Sequence, residues 1–140
     1  MDYQKEAIRI RQEQNATCVA LSATRTYEST LKGVAPILIP LEEDNEFFKG
    51  CSVSDRVIGK AAALLFIKAQ IKELHAELIS DHAVALLESY EIPYSYDKKV
   101  PYIINRDGTG MCPMEECVLE LNDLEEGYVA VTQRIKELRK

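Results

Sequence analysis

With 17 Lys and Arg against 23 Asp and Glu, the 140-residue chain carries a net charge of −6 and has no basic tract, which argues against nucleic-acid binding through phosphate neutralisation. The length fits a single domain spanning 1–140, and an apolar fraction of 46% suits a buried globular core. The charged opening MDYQKEAIRIRQEQ is no signal peptide, no segment reaches the roughly 20 apolar residues of a membrane span, and four cysteines without a secretory signal point to a cytoplasmic chain with reduced thiols.

Residues 2–14 predict a short amphipathic helix with Tyr3, Ala7, Ile8 and Ile10 inward, ended at Asn15. Thr17–Ser22 and Arg25–Thr30 predict an antiparallel hairpin. Gly33 breaks the chain, Pro36 suits a first helical turn, and Pro40 breaks or kinks the helix expected over 34–48. The stretch Cys51–Gln70 dominates the sequence. Its apolar run from Val57 to Ile67 is too long for a typical strand, and Ser52 with Asp55 resembles a capping box, so a buried central helix is expected from about Ser52–Asp55 onward. Gly59 and Ala61–Ala63 make that helix narrow, and Asp55, Arg56 and Lys60 give it a polar mouth.

Ile71–Ile79 predicts a buried strand, and Ser80 or Asp81 caps a helix with Ala83, Leu86 and Leu87 inward. Ile92–Tyr96 reads as a strand, Asp97–Lys99 as a turn, and Val100–Asn105 as a further strand or extended approach. The turn signals Asp-Gly and Thr-Gly follow, then Pro113 opens a helix with Cys112 as N-cap. Asp123 and Glu126 cap a last helix over 124–139, striped by Leu124, Tyr128, Val131, Ile135 and Leu138; its basic end, Lys136–Lys140, suits the helix dipole. A hairpin followed by alternating strands and helices implies an α/β fold with a mixed sheet and helices on both faces.

Cys112 is the leading chemical candidate, because a helix N-terminus and nearby Arg106 favour a thiolate; the competing reading is a small cysteine in a Gly-rich turn. Arg106 and Asp107 beside Gly108 and Gly110 suit an anion or an ordinary tight turn. Lys60 with Asp55 could pair as ions, Ser80 could simply cap, and Glu115 could serve as acid or base or merely suit a helix dipole. His75-Ala76-Glu77 and Cys112-Pro113 with Cys117 overlap the H-x-E and P-C-x-x-C signature of zinc deaminases. Yet His75 and Glu77 fall in a strand, and four residues separate the cysteines, so a zinc site is disfavoured. No Ser-His-Asp arrangement, Walker loop or dinucleotide fingerprint is legible.

Three motifs, Asp55–Ala63 (DRVIGKAAA), Ile79–Ser80 and Asn105–Glu115 (NRDGTGMCPME), make residues 16–125 resemble an uncharacterised prokaryotic family of the cytidine-deaminase-like superfamily. The resemblance implies a three-layer α/β/α sandwich with a mixed sheet and no zinc ligands. It also implies a cleft lined by Asp55, Lys60, Ser80, Asn105, Arg106, Cys112 and Glu115. Arg56 departs from the more usual Lys, and Pro40 interrupts a helix that usually carries one proline.

The expected function is metal-free binding of a small polar or anionic ligand, a nucleotide-like one among them, between the 52–69 helix and the 105–115 loop. Lys60 and Arg106 would hold an anion, Asp55, Ser80 and Asn105 would line the site, and Cys112 and Glu115 are the catalytic candidates. No cofactor is implied. The alternative is a zinc-dependent nucleoside or base deaminase with His75, Cys112 and Cys117 as atypical ligands. A third reading has the Leu124–Leu138 stripe packing on a second copy or another chain, against packing on its own sheet, which is favoured.

Overall fold

The computed structural model describes residues 1–138, so Arg139 and Lys140, which close the expected last helix and its basic end, lie outside the described residues. The elements are α1 (Tyr3–Glu13), β1 (Cys18–Leu21), β2 (Thr26–Ser29), α2 (Ala35–Glu43), β3 (Ser52–Ile58), α3 (Lys60–Lys68), β4 (Glu73–Ser80), α4 (Asp81–Ser89), β5 (Tyr94–Val100), α5 (Pro113–Cys117) and α6 (Leu124–Leu138). The strands form one sheet in the order β2-β1-β3-β4-β5. The β1–β2 and β1–β3 pairs are antiparallel, and β3–β4 and β4–β5 are parallel, as the switch from hairpin to crossovers predicts.

The expected central helix is corrected: its first half is β3, and only the second half is helical. Val53, Val57 and Ile58 are β-branched, which favours an extended strand, and the Ala-rich run after Gly59 favours a helix. Gly59 separates the two in an extended conformation. Because β3 lies between neighbours with both faces covered, it reads as a buried run without clean alternation. The Ser52–Asp55 capping box therefore does not exist; Ser52 hydroxyl instead donates to Glu73 on β4.

α1 covers one face over β1, β3 and β4. Ala7, Ala16, Val19 and Leu21 form the core there, with Tyr3 and Ile10 against it. The larger core on the other face gathers α2, α3, α4 and α6 around the buried Ala61–Ile67 segment. α6 comes so close to α3 that a Cβ on Gly127 would overlap the Leu64 side chain. Val131 is buried and Leu124, Tyr128 and Ile135 pack on the same core, so most of the last stripe faces its own chain, while Leu138 is exposed.

Pro40 lies inside α2, which ends at Glu43 rather than at 48. The N–H that proline lacks would have met the Pro36 carbonyl; the Tyr27 hydroxyl donates to that oxygen instead, at 2.8 Å. The turn expected at Asp97–Lys99 is the middle of β5, where Lys98 and Lys99 pair in register with Leu78 and Ile79. Charged side chains suit this edge strand. Val100–Asn105 is no strand beyond Val100: the chain leaves the sheet there, and only the bridge Ile104–Met111 is extended pairing.

Candidate functional site

The parallel strands β3 and β4 end at Ile58 and Ser80 and pass almost directly into α3 and α4, so two helix N-termini open side by side at one end of the sheet. Exposed backbone N–H groups at such positions need acceptors. Ser80 supplies one: its hydroxyl oxygen accepts from the Ala83 N–H at 3.1 Å, capping α4 as the sequence predicts. α3 starts after its N-cap Gly59 and has no side-chain cap of its own.

Glu115, from the first turn of α5, fills that role from 55 residues away. One of its carboxylate oxygens accepts from the Lys60 N–H at 2.7 Å and from the Ser80 hydroxyl at 2.5 Å; the other accepts from the Ile103 N–H at 2.7 Å. The residue is 1% exposed. A negative charge at a helix N-terminus is favoured by the helix dipole, and hydrogen bonds to a carboxylate are the stronger kind. Gly59 makes room for this: a Cβ there would lie 3.0 Å from Ile103 and 3.1 Å from the Glu115 carboxylate. Glu115 thus ties α3, α4 and the segment after β5 into one node.

That segment is a small hairpin. Cys112 N–H donates to the Ile103 carbonyl, and Asn105 N–H to that of Gly110. Asn105 organises the tip: its side-chain oxygen accepts from the Thr109 N–H at 3.0 Å, and its amide faces the Thr109 hydroxyl at 3.2 Å. Gly108 turns the chain with φ +71°, a conformation that favours glycine. Arg106 is exposed at this tip. Cys112 stands at the hairpin's return, half-buried and just before α5, and its thiol caps no helix N–H.

Asp55 and Lys60 do not form the expected ion pair. Lys60 is 6% exposed, and its Nζ donates to the Leu119 carbonyl at 2.7 Å, just past α5. Burial lowers the Lys60 pKa, while Glu120 and Glu115 oppose the shift. Asp55 sits on β3 opposite Cys18 and Ala76. Burial pushes its carboxyl up to about 7, against the opposing effects of the Val57 N–H, the Cys18 thiol, the Arg56 N–H and the Arg11 charge. Burial, then Asp55, pushes the Cys18 thiol well up in turn.

Lys60, Ser80 and Glu115 are therefore joined directly, Asn105 and Cys112 belong to the hairpin that Glu115 anchors, and among the described residues no hydrogen bond or ion pair links Arg106 or Asp55 to the node. Where the cleft was expected, between α3 and the 105–115 loop, Glu115 itself takes the Lys60 N–H and the Ser80 hydroxyl. Two surface grooves lie elsewhere: one between the ends of α2 and α3 and the start of α6, the other between α4 and the α5–α6 connector, and neither is lined by Asp55, Asn105, Arg106, Cys112 or Glu115.

His75, Cys112 and Cys117 are not gathered: among the described residues, no three His, Cys, Asp or Glu side chains stand together as a metal site would need. His75 is on β4, with its Nδ1 2.7 Å from the Ser95 hydroxyl and its Nε2 3.3 Å from Asp97. This Ser-His-Asp grouping across two strands left no sequence signal, because strand register alone brings it together, and His75 Nε2 makes no hydrogen bond to Asp97. Its serine is on Nδ1, and Ser95 and Asp97 share one edge strand, so it is a polar ladder on the sheet rather than a nucleophile with its base. Arg11 was missed too: it is 2% exposed, and its Nε donates to Ser54 at 2.8 Å beneath α1.

Fold and site define an α/β protein with a five-stranded mixed sheet, flanked by helices, whose parallel strand ends meet at one buried carboxylate. The chain belongs to the DUF1893 family: the family model described as TM1506, domain of unknown function (DUF1893), matches residues 6–135. It is similar to the crystal structure of a DUF1893 family protein (TM1506) from Thermotoga maritima, with 32% identity and a TM-score of 0.87 over 95% of this chain and 90% of that one. No curated protein matches the chain. No described helix is long and apolar enough to cross a membrane.

Proposed function

We propose that this is a metal-free protein of cytidine-deaminase-like fold that binds a small polar or anionic ligand, nucleotide-like in size, at the carboxyl ends of β3 and β4. The observation that carries the reading is the Glu115 node. A carboxylate of the chain itself is held by the Lys60 N–H, the Ser80 hydroxyl and the Ile103 N–H. Those donors converge where ligands of open parallel sheets are held, outside the strand ends and at helix N-termini. In this reading the 101–112 segment is the cover, Glu115 its latch, and a ligand carboxylate or phosphate takes the same donors when the cover lifts. Cys112, at the return of the hairpin, then lies at the rim with Asn105 and Arg106.

The fold reading is supported by the order β2-β1-β3-β4-β5 with an antiparallel first half. The segments at the starts of α2 and α3, Val34-Ala35-Pro36 and Gly59-Lys60-Ala61, carry neither His nor Cys, which argues against the H-x-E and P-C-x-x-C zinc chemistry. Thermal-shift titration with nucleoside monophosphates and small carboxylates tests the reading. A saturable rise in Tm that Ser80→Ala diminishes, together with protection of Cys112 from a thiol reagent, is expected. A rise unchanged by Ser80→Ala, with Cys112 unprotected, would move the ligand away from this end of the sheet.

A further inference from the structure

We propose that the groove between α4 and the α5–α6 connector is a second site, for a small organic anion, with the Lys60 ammonium and His82 holding a carboxylate or phosphate group and Ala85 and Leu86 facing its carbon body. The groove offers about 440 Å³, open to solvent on one side, and is lined by these four residues with Ser89, Tyr90 and Asn122. That volume lies within the range of about 300–1,000 Å³ usual for small-molecule sites. The inference does not rest on the cover described above: the backbone N–H of Lys60 donates to Glu115, whereas its Nζ donates to the Leu119 carbonyl, and the residue lines the groove.

Lys60 is the reason to expect a ligand. An ammonium has three donors, and this one gives one of them to the Leu119 carbonyl. It is 6% exposed, and no described carboxylate lies within ion-pair distance of it. A buried ammonium with no carboxylate in direct contact with it is costly. Glu115 and Glu120 contribute to its electrostatic surroundings, but Glu115 is committed to the three donors of the node and Glu120 is exposed. The Ser89 and Tyr90 hydroxyls donate to the Leu86 and Asn122 carbonyls, which leaves their oxygens able to accept from ligand hydroxyls. Burial also lowers the Lys60 pKa, which favours the free amine used by the probe below.

Pyridoxal 5′-phosphate tests this directly, since it joins an anion to an aldehyde. The free amine of Lys60 attacks the aldehyde carbon, water leaves, and the resulting imine is fixed by borohydride, whose hydride reduces the C=N bond to a stable amine. Peptide mapping of the intact protein should place the label on Lys60 ahead of the exposed Lys49, Lys98 and Lys99. Inorganic phosphate should protect Lys60, and His82→Ala should weaken that protection about tenfold, the equivalent of one contact of roughly 1.4 kcal/mol. Lys60→Arg should keep the fold, checked by circular dichroism, and lose the label. Label spread evenly over surface lysines, or phosphate without effect on Lys60, would overturn the proposal.

Discussion

Replacing Glu115 probes the architecture at its most connected point. In Glu115→Gln the shape is kept, and the amide oxygen can still accept from the Lys60 N–H and the Ser80 hydroxyl. The amide nitrogen then faces the Ile103 N–H, donor against donor, where the carboxylate had accepted at 2.7 Å. Losing one bond to a charged acceptor and leaving a donor unpaired costs about 2 kcal/mol. Glu115→Ala strips all three donors of their acceptor and opens a void, so about 4 kcal/mol is expected. Single domains have a stability of about 5–15 kcal/mol, so the alanine variant would be marginal. Urea unfolding followed by circular dichroism measures both, provided the slope m is unchanged. A Gln variant within about 0.5 kcal/mol of the parent, the range of ordinary surface changes, would refute the three-donor account.

Three further outcomes follow from the packing and from Asp55. Because the folded-state pKa of Asp55 is raised from 3.8 to about 7, the native protein holds a proton that the unfolded chain has given up across that interval. Stability therefore falls as pH rises from about 4 to about 7 and levels off above, by on the order of 4 kcal/mol. Asp55→Asn should remove that slope from urea midpoints; parallel curves for parent and variant would contradict it. Gly127→Ala should destabilise by about 2 kcal/mol, because its Cβ meets Leu64, although helix propensity alone favours alanine by up to about 1 kcal/mol; a stabilised variant would show that α6 does not lie so close to α3. In the native protein a thiol reagent should modify Cys112 first: Cys18 and Cys51 are buried, and burial pushes up the thiols of Cys18, Cys51 and Cys117. Modification of Cys117 before Cys112, read by peptide mapping, would contradict that order.

Local signals carried much of the fold. The opening helix, the hairpin, the strand before Ser80, the Ser80 cap and the Asp123 cap each rest on a short pattern that tertiary structure did not override; Asp123 does accept from the Glu126 N–H at 2.9 Å. The central stretch failed for a physical reason. A fully buried strand followed by a fully buried helix gives one apolar run, and periodicity cannot divide it; Gly59 was the only mark of the joint. The charged turn expected at Asp97–Lys99 failed because an edge strand tolerates charges that a central strand would not.

The sequence singled out residues of the Glu115 node, and not the geometry that joins them. Ser80 and Glu115 both stood out in the sequence, but nothing local links a first-turn glutamate to a serine 35 residues earlier. Nor could spacing show that the Lys60 backbone faces one feature and its side chain another. Nothing local marks Arg11 as buried, because the neighbouring sheet covers it.

Native mass spectrometry of the protein, purified without added metal or chelator, tests the central claim most directly. A small organic mass that leaves on denaturation, or that appears on incubation with the nucleoside monophosphate and carboxylate panel, is the predicted result. An adduct of one zinc per chain would contradict the account, as would a chain that stays bare against the whole panel.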